Sequence, residues 1–535
     1  MAVRDRAAAA SMESGSVSNE CRMAVPAAEA NCWAVRWAWK PEAGSSRWST
    51  ESIGLGMVEA KGRRGKRPGG ASGRFDPDPD GHNIAAHMSL IPILDQSSAE
   101  GRDRFARLAA GLRIDLRAEL GGAGEWAKRQ EAVSEAVRAV AERGDDAVVE
   151  YARRYDDPQF TARQIRVSAG EMEEARRLTP PAVMEAIRRS IRQVREYQRS
   201  IMPTGGVTLR REGVELGIRF TPLDSAGLYV PGGKAAYPSS LIMLAGPAQV
   251  AGVGRVAVAT PPSKYGRSGL VLAACAEMGV GEVYRAGGPV AIAALALGTA
   301  TIPKVDKIVG PGNALVQLAK RMVAGVVGID GFLGPSEIVV IADETGQAEF
   351  IAADLIAQAE HDPGSCFLIT TSRDLARAAA EAIGRQTAAA PRAEAIRRAL
   401  AERSAIVVAG SMDEAVELAN ELAAEHVNVQ TRDNGAVVAK LRHAGAVFEG
   451  EWSAVAAGDY VAGPSHCLPT NTTARFGSGI SVYEFLKRSS TARYTRDGLA
   501  DDAPSVVALA EAEQLPAHAA SVRVRLEATR RSADR

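Results

Sequence analysis

The chain has 535 residues, room for three or four domains, and its 64 Lys plus Arg balance 64 Asp plus Glu to a formal net charge of zero. That balance removes the electrostatic case for a nucleic-acid or polyanion partner. Hydrophobic residues at 46% supply a large core, yet no apolar run reaches the roughly 18 residues that would span a membrane.

Residues 1–87 hold four of the six tryptophans but no apolar periodicity. The basic run Lys61-Gly-Arg-Arg-Gly-Lys-Arg-Pro68 and the segment Asp76-Pro-Asp-Pro-Asp80 read as a disordered tail. No apolar h-region marks a signal peptide; the tail reads as an over-extended start, with orderly sequence from Met88. A mainly helical region is expected over 88–222. Within it Glu125–Arg143 puts Val133, Val137 and Val140 on one stripe ended by Gly144, and Pro180-Pro181 opens a helix to about Ile201.

Between 223 and 332, short β-branched runs run into Gly/Pro turns and then helices. Val256–Thr260 ends in Pro261-Pro262, Val283–Ala286 in Gly287-Gly288, and Lys307–Val309 in Gly310-Pro-Gly-Asn313. Helices are expected at 269–279, 290–298 and 313–324. The same grammar recurs over 333–451: strand Ile338–Ala342, helix 346–361, strand Phe367–Thr370, helix 374–384, strand Ala405–Val408, helix 412–424 and strand Val427–Val429. This predicts an α/β protein with a duplicated open parallel sheet, ligands lying at the carboxyl ends of the strands. Residues 452–535 form an extended and helical C-terminal region closing in a helix over 505–531.

No GxGxxG fingerprint follows any strand. Three glycine clusters stand instead, Gly227–Gly233, Gly287-Gly288 and Gly310–Asn313, and together they predict a nucleotide or phosphate crevice. Histidine is scarce: none of the seven lies between 88 and 360, so metal or imidazole chemistry belongs to the C-terminal third. Gln358 and His361, spaced i and i+3, share a helix face and could reach one ion, with Asp459, His466 and His518 as further donors. Glu425-His426 could supply carboxylate and imidazole to one pocket, provided the backbone is irregular where helix hands over to strand. The five cysteines are odd in number and include no CxxC pair, which points to a reducing, cytoplasmic setting.

In this order the segments resemble the histidinol dehydrogenase family over roughly residues 90–530. The likeness rests on Gly227-Leu-Tyr-Val-Pro-Gly-Gly233, Ala236-Tyr-Pro-Ser-Ser240, Ile302–Asn313, Gly334-Pro-Ser-Glu337, Gln358-Ala-Glu-His361, Ala424-Glu-His426, Gly458-Asp-Tyr460, His466-Cys-Leu-Pro-Thr470 and Glu513…His518. The resemblance implies two related incomplete Rossmann-like domains with small accessory domains in an intertwined homodimer. It also implies one zinc ion per subunit on Gln358, His361, Asp459 and His518, a catalytic pair Glu425 and His426, and NAD contacts at Tyr229, Val290 and Asn313. Substrate contacts fall on Ser336, His426, Asp459 and Glu513, beside the zinc donors Gln358, His361 and His518.

The implied reaction is the four-electron oxidation of L-histidinol to L-histidine through an enzyme-held aldehyde. Val290 departs from the family's usual glutamine, which implies one hydrogen bond fewer to the cofactor and weaker NAD affinity. Two other readings compete. One is a paralogue acting on another small alcohol such as a sulfonated diol, which the Glu513 carboxylate would repel. The other is a zinc hydrolase with no hydride step, which leaves the glycine clusters without a role.

Overall fold

The computed structural model describes residues 89–114, 124–232, 236–262, 269–331, 333–334, 336–361 and 363–533. The tail reading, the start at Met88 and Gly233 of the first glycine cluster lie outside the described residues.

A short strand, β1 (Ile93–Asp95), leads into α1 (Ala99–Leu112), where the Ser98 hydroxyl accepts the Gly101 N–H as N-cap. Four helices follow: α2 (Glu125–Arg143), α3 (Asp145–Tyr155), α4 (Ala169–Leu178) and α5 (Pro181–Ser200). Gly144 at φ 52° ends α2, and Pro181 opens α5 with its φ already set. Next comes a hairpin of β2 (Gly206–Arg211) and β3 (Val214–Pro222), turning through Gly213 at φ 69°. The sequence reading did not anticipate this hairpin, although Glu212-Gly213 between alternating residues is a turn signal.

The first parallel sheet is built from β4 (Ser225–Tyr229), α6 (Pro238–Ala251), β5 (Arg255–Thr260), α7 (Gly269–Met278), β6 (Glu282–Arg285), α8 (Gly288–Leu297), β7 (Lys307–Val309), α9 (Ala314–Val323) and β8 (Gly328–Ile329). The second follows as β9 (Ser336–Ala342), α10 (Ala348–Ala359), β10 (Gly364–Thr370), α11 (Arg373–Ala389), α12 (Ala393–Arg403), β11 (Ala405–Val408), α13 (Met412–Leu422), β12 (His426–Gln430), α14 (Asn434–Val438) and β13 (Ala446–Glu449). The strand orders are β6-β5-β4-β7-β8 and β1-β11-β10-β9-β12-β13. Counted from its own first strand, each sheet runs third, second, first, fourth, fifth, and β1 adds an outer strand to the second. The order therefore reverses between β4 and β7 in one sheet and between β9 and β12 in the other, the switch points where open α/β sheets bind ligands.

Helices cover both faces of both sheets. On the first, α5, α6 and α7 pack one side and α2, α3, α8 and α9 the other. On the second, α10, α11 and α12 lie opposite α1 and α13. Strands buried on two faces become continuous apolar runs, as Ile338–Ala342 shows.

The chain then forms α15 (Val455–Tyr460) and β14 (Leu486–Tyr494), which pairs antiparallel with β3 to complete a three-stranded sheet. Two helices end it, α16 (Arg496–Ala512) and α17 (Pro516–Ala533). The single helix expected over 505–531 is broken at Glu513–Leu515, where Gln514 takes φ 60°. No helix among the described residues is long and apolar enough to cross a membrane.

Candidate active site

Ser336 is the first residue of β9 and His426 the first of β12, so these side chains stand at the amino edge of the second sheet, across its switch point. Glu425 lies one residue outside the strand. The α13 helix stops at Ala423, a non-glycine residue at φ 46°, and the chain turns sharply into β12. That irregular handover frees Glu425 from strand alternation, so that both side chains enter one pocket: Glu425 Oε2 lies 3.5 Å from His426 Nδ1.

A relay of short contacts ties the cluster together. Gln358 Nε2 donates to Ser336 Oγ, and Ser336 Oγ donates to Glu425 Oε2. Glu425 Oε2 also accepts the Glu337 N–H at 3.2 Å. His426 Nδ1 faces the Glu337 carbonyl at 3.2 Å, and its Nε2 lies 3.9 Å from Asp459 Oδ1. A carbonyl only accepts, so Nδ1 carries the hydrogen and Nε2 presents its lone pair to the pocket.

Asp459 rides on α15, which sits close because Gly458 has no side chain: a Cβ there would come within 2.5 Å of the Phe448 ring. The Asp354 carboxylate of α10 accepts the Val455 N–H, binding α15 to the helix that carries Gln358; that helix ends at Ala359, short of the 346–361 expected, and His361 stands in the turn that follows it. His466, a metal candidate by composition, has both ring nitrogens engaged: Nδ1 with the Asp459 carbonyl at 2.7 Å and Nε2 with Ser240 Oγ of α6 at 3.1 Å. It fastens Asp459 to the first sheet's helical layer.

Desolvation drives every titratable group of the cluster towards its neutral form. Burial holds Glu425 well above the usual carboxylate range, lifts Glu337 to about 8 and raises Asp459. It lowers His426 to about 3 and depresses His361 and His466. His361, although exposed at its edge, lies within electrostatic reach of Asp459, His426 and His466.

Glu337 has no role in the sequence reading, although it stands in the Gly334–Glu337 motif. A lone carboxyl in an otherwise apolar, doubly covered strand was the available signal. It is 2% exposed and accepts the Asn471 N–H at 2.9 Å, holding a turn in which Asn471 and Thr472 both take positive φ.

The cofactor candidates lie at the carboxyl edge of the first sheet. Tyr229 ends β4, and its buried hydroxyl accepts the Gly288 N–H at 3.1 Å, at the start of α8. Asn313 caps α9 by accepting the Leu315 and Val316 N–H groups, each at 3.1 Å, which leaves its amide NH2 outward. Val290 is 2% exposed and packs in an apolar cluster with Tyr229.

Glu513 and His518 are not brought to the cluster. Both are exposed, one ending α16 and the other in the first turn of α17. No group of three or more His, Cys, Asp or Glu that could hold a metal ion is assembled among the described residues.

Paired open α/β sheets with a buried acid–imidazole pair at a switch point describe an α/β enzyme with an acid–base site. A family profile described as histidinol dehydrogenase matches residues 123–526. Histidinol dehydrogenase of Thermosynechococcus vestitus is 45% identical over 421 residues, covering 77% of this chain and 98% of that protein. The Gluconobacter oxydans protein of the same name is 45% identical, covering 81% and 99%. The crystal structure of histidinol dehydrogenase from Elizabethkingia anophelis superposes with a TM-score of 0.77 at 32% identity, over 83% of this chain and all of that one. The chain belongs to the histidinol dehydrogenase family, oxidoreductases of histidine biosynthesis.

Proposed function

We propose that this chain oxidises L-histidinol to L-histidine in two hydride transfers to NAD, with one zinc ion per subunit, as a cytoplasmic homodimer. The observation that carries the reading is the linked cluster of Gln358, Ser336, Glu425, His426 and Asp459, with His361 within electrostatic reach. The donor set suits zinc: amide oxygen, imidazole nitrogen and carboxylate oxygen, with burial favouring the neutral His361 imidazole whose lone pair a metal takes. Gln358, His361, Asp459 and His518 would hold the ion, which supplies a template orienting the substrate's imidazole and amine. Tyr229, the turn carrying Val290 and Asn313 would hold NAD, which accepts the hydride.

The chain's own groups do the proton work. His426, neutral at working pH, takes the alcohol proton at Nε2 as hydride leaves the carbinol carbon, giving the aldehyde. Glu425 has one oxygen fixed by Ser336 and the Glu337 N–H, leaving Oε1 to draw a proton from water as it adds to the aldehyde. Burial that raises its pKa makes the ionised form a stronger base. The second hydride leaves the hydrated aldehyde to give the acid, so one histidinol reduces two NAD. Ser336 contacts the substrate, and Glu513 accepts a hydrogen bond from its amine.

His518 and Glu513 belong to a second copy in this reading. Around them α16, the break at Glu513–Leu515 and α17 expose Leu509, Leu515 and Val524 at 42–64% of their surface, apolar area suited to a partner chain. The test is NADH formed per histidinol consumed: two is expected, chelation should abolish turnover, and zinc should restore it. A ratio of one, or full activity in verified zinc-free protein, overturns the reading.

A further inference from the structure

Lys320 and Asp330 make an ion pair that none of this chemistry uses, and both side chains are almost wholly buried, 1% and 0% exposed. The pair does more than neutralise itself. Lys320 Nζ donates to the Gly310 carbonyl at 3.0 Å, and Asp330 Oδ2 accepts the Gly310 N–H at 2.6 Å. Both backbone polar groups of one residue are thus held by the two halves of one ion pair. Gly310 needs such holding: it sits at φ 131°, pressed so close to Tyr229 that a Cβ would come within 2.2 Å of the Tyr229 carbonyl oxygen.

The same helix fixes the connector between the sheets. Gln317, one turn before Lys320 on α9, donates through Nε2 to the Leu333 carbonyl at 3.0 Å, and its Oε1 takes the Leu333 N–H at 3.4 Å. Leu333 lies three residues before Ser336. Cys467 lies within electrostatic range of Asp330, Lys320 and Glu425 alike.

We propose that the Lys320–Asp330 pair is a positioning clamp for NAD: it fixes the Gly310–Asn313 turn against Tyr229 and sets that turn's register on the strand bearing Ser336. A buried ion pair is weak evidence for stability, since desolvation consumes most of its attraction. What this one supplies is direction, because each partner reaches a different backbone atom of the same glycine. The clamp touches neither cofactor nor substrate and acts through the turn. It rests on the reading that NAD binds there.

The experiment compares full-length, zinc-loaded enzyme with Lys320→Met/Asp330→Asn, which removes both charges while keeping volume and an acceptor for the Gly310 N–H. The measurements are circular dichroism, zinc content, the Michaelis constants for histidinol and NAD, and NAD binding by calorimetry. The double variant should keep its secondary structure, its zinc and a histidinol constant within about twofold, while the NAD constants rise about tenfold or more, the scale of a lost charge-assisted hydrogen bond. NAD constants unchanged in a folded double variant, whatever its melting temperature, overturn the clamp. Should the double variant not fold, Asp330→Asn alone is measured the same way; a smaller rise in the NAD constant supports the clamp and no rise overturns it. Failure of the unmutated enzyme to form NADH from histidinol would instead remove the NAD reading.

Discussion

Two neighbours, Glu425 and His426, divide the chemistry by what holds each of them. His426 is neutral by burial, and the Glu337 carbonyl fixes its tautomer, so its loss should remove nearly all turnover while zinc content survives in His426→Ala. Glu425→Gln should slow the aldehyde-to-acid half by roughly the 10²–10⁴ of a general base and spare the alcohol half; single-turnover rates with histidinol and with histidinal separate them, and equal slowing refutes the division. His361→Ala should lose zinc, because the pocket offers few strong donors, and metal analysis reads this directly. Glu337 gives a prediction about stability. Burial lifts its pKa from 4.5 to about 8, so the folded chain keeps a proton that the unfolded chain releases. Its contribution is whole below the unfolded pKa and is lost as pH rises through the folded one, a decline on the order of a few kcal/mol at most. Glu337→Gln stays neutral throughout and can still accept the Asn471 N–H, so its melting temperature should fall less between about pH 5 and about pH 9. Parallel curves for the two proteins would sink the assignment.

Elements were largely legible because their signals are local. Gly144 and Pro181 mark helix ends, and Lys307–Val309 and Ala405–Val408 are strands as read, whereas the helix expected to carry both Gln358 and His361 ends at Ala359 and leaves His361 in the following turn. Pairing across the chain was not legible. Nothing near residues 206–222 says that β14 will join them, or that β1 will extend a sheet built some 240 residues later. The edge at which the site forms was hidden too. Open parallel sheets place ligands at strand carboxyl ends, as Tyr229 and Gly310 do, yet Ser336 and His426 open their strands and stand at the amino edge of the second sheet. The connector between the two sheets is held from α9, by Gln317 at Leu333 and by Lys320 at Asp330. Val290 is the element-scale test. Its side chain is buried in the first turn of α8, so Val290→Gln must leave an amide in an apolar cluster or distort the turn. It should lower stability by about 1–3 kcal/mol without tightening NAD. Thermal melts beside NAD constants decide it, and a tighter constant at unchanged stability would show that the side chain can reach the cofactor.

At the scale of the whole molecule, the C-terminal arm poses the sharpest question. β14 is exposed along almost its entire length, and α16 and α17 carry Glu513 and His518 at the surface rather than beside Asp459. A site that needs those two residues cannot be completed by one chain in this conformation. A twofold dimer resolves this if each arm serves the other subunit's pocket, since one symmetric exchange then completes both sites. The consequence can be measured with two inactive chains. His426→Ala spoils the pocket a chain owns, and His518→Ala spoils the arm it lends. Pairing them puts both lesions into one site and leaves the other site with an intact pocket and an intact arm. Random pairing makes half the dimers mixed, and each mixed dimer has one good site of two, so co-refolded variants should recover about a quarter of the unmutated rate. Each variant alone, refolded at the same total concentration, should stay inactive. If arm and pocket were served within one chain, every site in the mixture would still carry a lesion and no activity would return, so absence of recovery in a mixture shown to contain heterodimers rules out the exchange.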